Sequence, residues 1–195
     1  DASFAGQYDT VLNVRGPEAL REAIQRCVAS VSNERARSYL QDQTGSDTAT
    51  MNVVVQAMVN ARAAGVVFTA DPVSARRDLL VLDAVAGLGE ALVSGEATPD
   101  HYGVHTSGSI VRRQLTAAEP LLSDGEILLI AKGARAAAAH EGQPLDLEWA
   151  IDQDGTLYWL QARPITTLPE DLNEFDTVLP RPDDVLTISN VREMM

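Results

Sequence analysis

The stretch from Pro144 to Thr166, PLDLEWAIDQDGTLYWLQARPIT, constrains the fold more than any other part of this sequence. Two runs of alternating apolar and polar residues flank the pair Asp154-Gly155, and both residues of that pair tolerate a positive φ. Alternation with a period of two is the pattern of strands with one buried face. The sequence therefore predicts a β-hairpin closed by the two-residue turn Asp154-Gly155.

The turn determines which side chains share a face of this hairpin. If Gln153 lies opposite Thr156, counting outward pairs Glu148 with Gln161 and Asp146 with Arg163. Any even loop length keeps these four side chains on one face, because strand side chains alternate with a period of two. The other face is apolar and is predicted to carry Leu147, Trp149, Ile151, Tyr158, Leu160 and Ala162.

The polar face has the chemical composition of a site for Mg²⁺ and phosphate. Carboxylates and an amide are hard oxygen ligands for the cation, and a guanidinium is a planar donor for the anion. A solvated hairpin face with one cross-strand ion pair would contain the same residues. The hairpin alone does not decide between these two interpretations.

Composition excludes several classes of function. The net charge of -13 leaves no basic surplus for a nucleic-acid backbone. No apolar run approaches the ~20 residues that span a bilayer, so no membrane partner is expected. The single cysteine, Cys27, fits a reducing cytoplasm, and its helical spacing from Leu20 and Ile24 indicates a core position rather than a nucleophile. Because the chain starts at Asp1, we expect it to be a piece of a longer protein.

The remaining pattern alternates between strands and helices. Strands are predicted at Val11–Val14, Met51–Val59, Val66–Ala70, Leu79–Val85, Tyr102–His105 and Ile110–Arg113, and Ala61–Gly65 is read as a connection. Helices are predicted from Pro17, at Asn33–Leu40, between Gly89 and Gly95, and at Ile127–His140 behind a capping box, Ser123 to Glu126. The proline-rich segment 169–195 is predicted to be a linker.

Three weaker signals stay open at this point. Gly6, among small polar residues, suits either a phosphate-binding loop or an ordinary turn. Gln56 interrupts an apolar strand, and its amide could bond neighbouring backbone or meet the edge of a purine. The histidines have no metal-ligand spacing and are interpreted as non-catalytic; they are His101, His105 and His140.

Five blocks of residues together resemble the nucleotide-binding domain of the phosphoenolpyruvate synthase and pyruvate phosphate dikinase family. The blocks are FAGQYDT at 4–10, VVVQAMV at 53–59, GVVFTADPV at 65–73, GLGEALVSG at 87–95, and LDLEWAID with LYWLQARPIT at 145–166. They keep the family's order and extend over residues 1–168. The tail ISNVREMM, at 188–195, is most similar to the rifampin phosphotransferase branch.

The resemblance implies an α+β domain of the ATP-grasp fold, with ATP held between two mostly antiparallel sheets, over residues 1–168. It also implies roles for individual residues. Gly6 and Thr10 would lie in the loop over the phosphates, and Gln56 on a strand lining the adenine pocket. The remaining implied roles are Mg²⁺ ligation by Glu148 and Gln161, and catalytic contact with the phosphates by Arg163.

The activity implied by the resemblance is a dikinase-type transfer: ATP, acceptor and water give AMP, phosphate and phosphorylated acceptor. Its partners would be a swivelling phosphohistidine domain and an acceptor-binding domain of the same full-length chain, and further nucleotide ligands, a Lys and an Arg, would precede Asp1. The acceptor implied is a rifamycin-type antibiotic or, alternatively, pyruvate. A ligase-like condensing enzyme and a non-catalytic nucleotide sensor remain as other possibilities.

Overall fold

The protein combines three helices with one antiparallel sheet in the part that its structure, a computed structural model, describes: residues 9–30, 52–93, 95, 97–166 and 168. The elements in chain order are α1 (Pro17–Ser30), β1 (Ala61–Phe68), β2 (Leu79–Ala86), α2 (Glu90–Val93), β3 (Asp100–His105), β4 (Ile110–Gln114), α3 (Asp124–Glu141), β5 (Leu145–Asp152) and β6 (Leu157–Pro164). The predictions for Gly6, for the helix Asn33–Leu40 and for the linker 169–195 concern residues outside the described part.

The six strands form a single sheet in the order β4-β3-β2-β1-β5-β6. Every neighbouring pair is antiparallel. The mixture of helices with a wholly antiparallel sheet confirms the predicted α+β class. The predicted hairpins β3-β4 and β5-β6 are both present, one at each edge of the sheet.

Helix α3 packs on one face of this sheet and closes the hydrophobic core. Ser123 caps the helix as predicted, because its side chain accepts a hydrogen bond from the backbone of Glu126 while the Glu126 side chain accepts one from the Ser123 backbone. The helix ends at Gly142, which has a left-handed conformation. The core side chains include Val67, Leu80, Leu82, Tyr102, Val104, Ile127, Ile130, Leu147, Trp149 and Ile151.

Trp149 is fully buried in this core, and its indole explains a glycine in the neighbouring strand. Gly65 lies opposite Trp149 in the β1-β5 ladder. A Cβ on Gly65 would lie 1.9 Å from the carbonyl oxygen of Asp83 and 2.9 Å from the Trp149 ring. Only glycine fits between β2 and this indole, so the close approach of the strands depends on Gly65.

Two predicted strands differ from the structure in the region that leads into β1. Strand β1 occupies Ala61–Phe68, so the predicted connection Ala61–Gly65 is wrong. The predicted strand Met51–Val59 is also wrong over its described residues 52–59, which have no regular structure. Residues 52–59 have no described strand to pair with. Ala61 already pairs with Asp152, the last residue of β5, and β2 ends at Ala86, so neither neighbouring strand extends alongside these residues.

The N-terminal segment differs as well. Helix α1 begins at Pro17 as predicted, but Val11–Val14 forms no strand. Asn13 has a φ of 58°, which interrupts an extended conformation. Cys27 is half-buried rather than in the core, and its thiol donates a hydrogen bond of 3.3 Å to the carbonyl of Asp9.

The hairpin loop is one residue longer than predicted. Asp152 donates its backbone N–H to the carbonyl of Thr156, which leaves a three-residue loop, Gln153 to Gly155, with Gly155 at a φ of 84°. An odd loop length would shift Gln161 away from Glu148. A β-bulge at Leu160 removes this shift, because the ladder passes from Trp149–Trp159 directly to Glu148–Gln161.

Candidate functional site

The polar face of the hairpin is continuous with the sheet face that lies opposite α3. Glu148 pairs with Gln161 on one side and with Val66 on the other, and Val66 pairs in turn with Asp83. Asp146 pairs with Arg163, one register step away. Both predicted cross-strand pairs are therefore confirmed.

The bulge divides the hairpin into two halves of different register. Beyond Leu160, toward the loop, Tyr158 pairs with Ala150, so Tyr158 lies on the same face as Glu148. Its hydroxyl donates a hydrogen bond to Asp152 Oδ2. The prediction that Tyr158 belongs to the apolar face is wrong, and Trp159 takes that place opposite Trp149.

Glu148 has an unusual environment for a carboxylate. It is half-buried and has no hydrogen-bond partner among the described residues, and the apolar side chains of Leu92 and Leu160 line a small cavity of about 20 Å³ beside it. Burial raises the pKa of Glu148, and the charge of Asp146 raises it further, while Arg163 acts in the opposite direction. A cation at this carboxylate would offset the cost of its burial.

Asp146 and Arg163 form the closest ion pair of this face. Arg163 donates a hydrogen bond from Nε to Asp146 Oδ2, and its Nη2 lies at the same distance, 2.7 Å, from that oxygen in the ion pair. The Asp146 side chain is 8% exposed and that of Arg163 is 40% exposed. The second carboxylate oxygen, Asp146 Oδ1, is buried without a hydrogen-bond partner.

A second cavity, larger than the one beside Glu148, lies at the loop end of the hairpin. It has a volume of about 440 Å³, within the range of small-ligand pockets. Gln56 lines it together with Met58, and the hairpin contributes Tyr158 and Leu160. Leu160 also lines the small cavity at Glu148, so the bulged residue borders both cavities.

Of the two predicted loop residues, Thr10 lies in the described part of the chain and is not brought to this face. Gly6 lies outside the described residues. Thr10 is exposed in the irregular segment before α1, and the hydrogen bonds of that segment run to the helix, from Asp9 N–H to Ser30 and from Arg26 to Asp9. No hydrogen bond in the described part of the chain links Thr10 to the hairpin.

The donor set suits Mg²⁺ held together with phosphate. Between them, Glu148 and Gln161 provide one carboxylate and one amide oxygen, and neither side chain has another hydrogen-bond partner among the described residues. No group of three or more His, Cys, Asp or Glu side chains in the described ranges is arranged to hold a metal ion. Such a sparse set is typical of Mg²⁺, which keeps water and substrate phosphate as its other ligands.

Two of the three histidines make side-chain contacts in the described structure, and neither contact involves Glu148 or Gln161. His101 contacts Asp83 through Nδ1 at 2.6 Å, and His105 contacts Ser107. Both contacts belong to the β2-β3-β4 side of the sheet.

None of the helices in the described ranges combines the length and the apolar character that a membrane span requires.

Two features of the site were missed by the sequence analysis. The burial of Asp146 was missed, since no sequence pattern distinguishes an exposed carboxylate from a buried one. The bulge at Leu160 was also missed. An extra apolar residue in an alternating strand was its one signal, Tyr-Trp-Leu at 158–160.

Comparisons with known proteins extend over nearly the whole chain. A family model described as the pyruvate phosphate dikinase, AMP/ATP-binding domain, matches residues 1–121 and 113–177. A rifampicin phosphotransferase of a Streptomyces species is 42% identical over 192 residues, which cover 86% of this chain and 22% of the relative.

Two further relatives are named phosphoenolpyruvate synthase and rifampicin phosphotransferase. A probable phosphoenolpyruvate synthase of Methanothermobacter thermautotrophicus is 40% identical over a match that covers 89% of this chain and 29% of the relative. A rifampicin phosphotransferase of Bacillus subtilis is 39% identical over 190 residues, covering 86% of this chain and 22% of the relative. The chain thus spans less than a third of the length of these relatives.

Proposed function

Since the chain belongs to the pyruvate phosphate dikinase AMP/ATP-binding family, we propose that residues 1–168 are an ATP-grasp nucleotide-binding domain that acts within a longer phosphotransferase polypeptide. Residues 169–195 would link it to the next domain. The observation that carries this proposal is the juxtaposition of Glu148, Gln161 and Arg163 on one sheet face, beside a cavity large enough for a nucleoside.

Glu148 and Gln161 would hold Mg²⁺ in this proposal. Mg²⁺ held there would neutralise part of the charge of the ATP phosphates. Glu148 fits the role because its carboxylate is half-buried, raised in pKa by that burial, and without a hydrogen-bond partner in the described structure. A metal ligand needs an available lone pair, and both side chains have one.

Arg163 would act on the phosphates themselves. A guanidinium carries five N–H donors, and the pair with Asp146 engages only Nε and Nη2. The other donors are available to the phosphoryl oxygens, on which charge develops during transfer. Arg163 is therefore the residue of this chain that we assign to catalysis.

The nucleoside would occupy the cavity that Gln56 and Leu160 line. Strand residues rise by ~3.3 Å, so the six residues from Asp152 at the cavity to Asp146 span roughly 20 Å. That length accommodates a nucleoside at one end and a triphosphate at the other. Gln56 would offer its amide to the base, while Gly6 and Thr10 would close over the phosphates.

The reaction proposed is transfer of the β-phosphate of ATP to a histidine on a swivelling domain, and from there to an acceptor on a third domain. The balance is ATP, water and acceptor on one side, and AMP, phosphate and phosphorylated acceptor on the other. Such a transfer requires of this chain mainly positioning and charge neutralisation, the contributions that a carboxylate, an amide and a guanidinium supply.

The products of the full-length protein test this proposal. With ATP, Mg²⁺ and acceptor, AMP and phosphate should form in equal amounts, and label from the β-phosphate of ATP should pass through an acid-labile protein intermediate. Formation of ADP would contradict the proposal and favour a ligase-like step. Binding of ATP without turnover would favour a nucleotide sensor.

For the acceptor we propose a rifamycin-type antibiotic. Relatives named rifampicin phosphotransferase are 42% and 39% identical to this chain, but a probable phosphoenolpyruvate synthase is 40% identical, so pyruvate is the second candidate. The assay is to supply rifampicin and pyruvate separately and to measure AMP. AMP formation that depends on pyruvate and not on rifampicin would replace the first candidate by the second.

A further inference from the structure

We propose that Asp146 is a positioning residue for phosphoryl transfer, which holds the guanidinium of Arg163 toward the phosphates and does not ligate the cation. The inference rests on the proposed function, since it gives Asp146 a role only through Arg163. Its basis is the geometry of the pair and the position of Arg163 in the sheet.

Strand β6, which carries Arg163, is an edge strand, so β5 is its one described neighbour in the sheet. The adjoining residues Ala162 and Pro164 are exposed, as is 40% of the Arg163 side chain. A long side chain in such a place has many rotamers, and fixing it in one of them costs conformational entropy. Without an anchor, the guanidinium would spend much of its time in solvent.

Asp146 supplies that anchor from the buried neighbouring strand. Its Oδ2 accepts a hydrogen bond from Nε of Arg163 and lies 2.7 Å from Nη2 in the ion pair, so one edge of the guanidinium is turned toward Asp146. Nη1 has no hydrogen-bond partner among the described residues. The arrangement therefore leaves the opposite edge of the guanidinium available for a phosphoryl oxygen.

The Asp146 carboxylate lowers the stability of the fold. This cost argues against a purely structural role and favours positioning of Arg163. Asp146 Oδ1 is buried and unpartnered, a state that lowers stability. An ion pair that served stability alone would not require a buried carboxylate with an unpartnered oxygen beside a second acid.

A double-mutant cycle in the full-length protein tests the inference. Asp146→Asn should lower kcat on the order of tenfold or more, because the guanidinium is no longer held in place. Arg163→Lys removes the planar fork. If Asp146 acts through Arg163, adding Asp146→Asn to Arg163→Lys should change kcat by less than about twofold. Independent effects that multiply would overturn the proposal.

A titration of Mg²⁺ distinguishes positioning from metal ligation. Asp146→Asn should leave the Mg²⁺ concentration for half-maximal activity within about twofold of the wild type, whereas Glu148→Gln should raise it strongly. A rise in Asp146→Asn equal to that in Glu148→Gln would make Asp146 a ligand and overturn the positioning role. A normal Mg²⁺ requirement in Glu148→Gln would instead contradict the proposed function.

The chain offers a matched control. Arg76 donates from Nε and Nη2 to Asp78 in a similar two-nitrogen pair, but this pair is exposed and lies outside the hairpin. Asp78→Asn should leave kcat unchanged. If Asp146→Asn does not fold, as its melting curve would show, Asp146→Glu keeps the charge on a longer side chain. It should lower kcat only while Arg163 is present, and an equal loss beside Arg163→Lys would overturn the inference.

Discussion

At the scale of single residues, the close packing of the sheet depends on positions whose sequence context looks unremarkable. Gly65 belongs to a segment, Ala61–Gly65, that the sequence pattern did not identify as a strand, because small residues without alternation carry no period. In the structure, Gly65 lies in β1 between β2 and β5, where it pairs with Ala84 and Trp149. The Glu148–Gln161 and Asp146–Arg163 pairs, in contrast, were predicted correctly, although the predicted loop was one residue too short.

Gly65→Ala should destabilise the protein severely. Its Cβ would overlap the Asp83 carbonyl, which is backbone and cannot move aside without breaking the β1-β2 ladder, so we expect a loss of more than about 3 kcal/mol. Gly89→Ala is the control, because a Cβ there would lie 3.7 Å from Ala64, an ordinary contact. Denaturant unfolding of both variants measures the difference. Equal stabilities would show that the strands are further apart than described.

At the scale of elements, the hairpin shows how far the sequence pattern can be used. The facing pairs were correct, but the loop has three residues and the bulge at Leu160 compensates for the third. The extra loop residue and the bulge shift the register in opposite directions. Gln161 lies beyond the bulge and therefore has its predicted partner, whereas Tyr158 lies between the loop and the bulge and is on the other face from the predicted one. Loop length depends on local hydrogen bonds, here from Asp154 and Thr156 to Asp152 Oδ1, which alternation does not encode.

The buried carboxylate of Asp100 connects strand β3 to the segment after β4, and replacing it tests how much this connection stabilises the protein. Asp100 accepts hydrogen bonds from Tyr102 Oη, from the N–H and hydroxyl of Thr116, and from the N–H of Leu121. Asp100→Asn replaces an acceptor by a donor that would face these donors. We expect a loss of about 2–3 kcal/mol in urea unfolding at neutral pH.

The pH dependence of the same variant gives an internal check. Burial would raise the pKa of Asp100, but the hydrogen bonds from Thr116, Leu121 and Tyr102 outweigh it and hold the pKa below its ordinary value. The stabilisation is therefore present above about pH 4, the unfolded value, and is lost as the pH falls through the folded value. The gap between wild type and Asp100→Asn should narrow on acidification. A constant gap would show that the charge of Asp100 is not involved.

At the scale of the whole molecule, this chain would supply only part of the protein that the proposed activity requires. It spans less than a third of the relatives described above. The family followed from five ordered sequence blocks, and the expected fold class followed from that resemblance. The proposed base and phosphate contacts of Gln56 and Thr10 could not be established in the same way, because such contacts depend on elements that close over a ligand.

The isolated chain of 195 residues should bind ATP weakly and should not turn it over. The reason is that Glu148, Gln161 and Arg163 account for only one side of the triphosphate, and further cationic ligands are expected from another part of the polypeptide. Isothermal titration with MgATP measures the affinity. A dissociation constant below micromolar would show that the hairpin face and its cavities are sufficient for binding.

The central claim is that Glu148 binds the Mg²⁺ of the nucleotide, and its most direct test is an Mg²⁺ titration of Glu148→Gln in the full-length protein. The substitution keeps the size and removes the charge, so activity at ordinary Mg²⁺ should fall on the order of a hundredfold. Stability in EDTA should be unchanged or higher, because burial raises the pKa of Glu148 and so makes its charge unfavourable at neutral pH. Near-normal activity at ordinary Mg²⁺ together with a lower melting temperature would contradict the claim, since Glu148 would then be a structural residue.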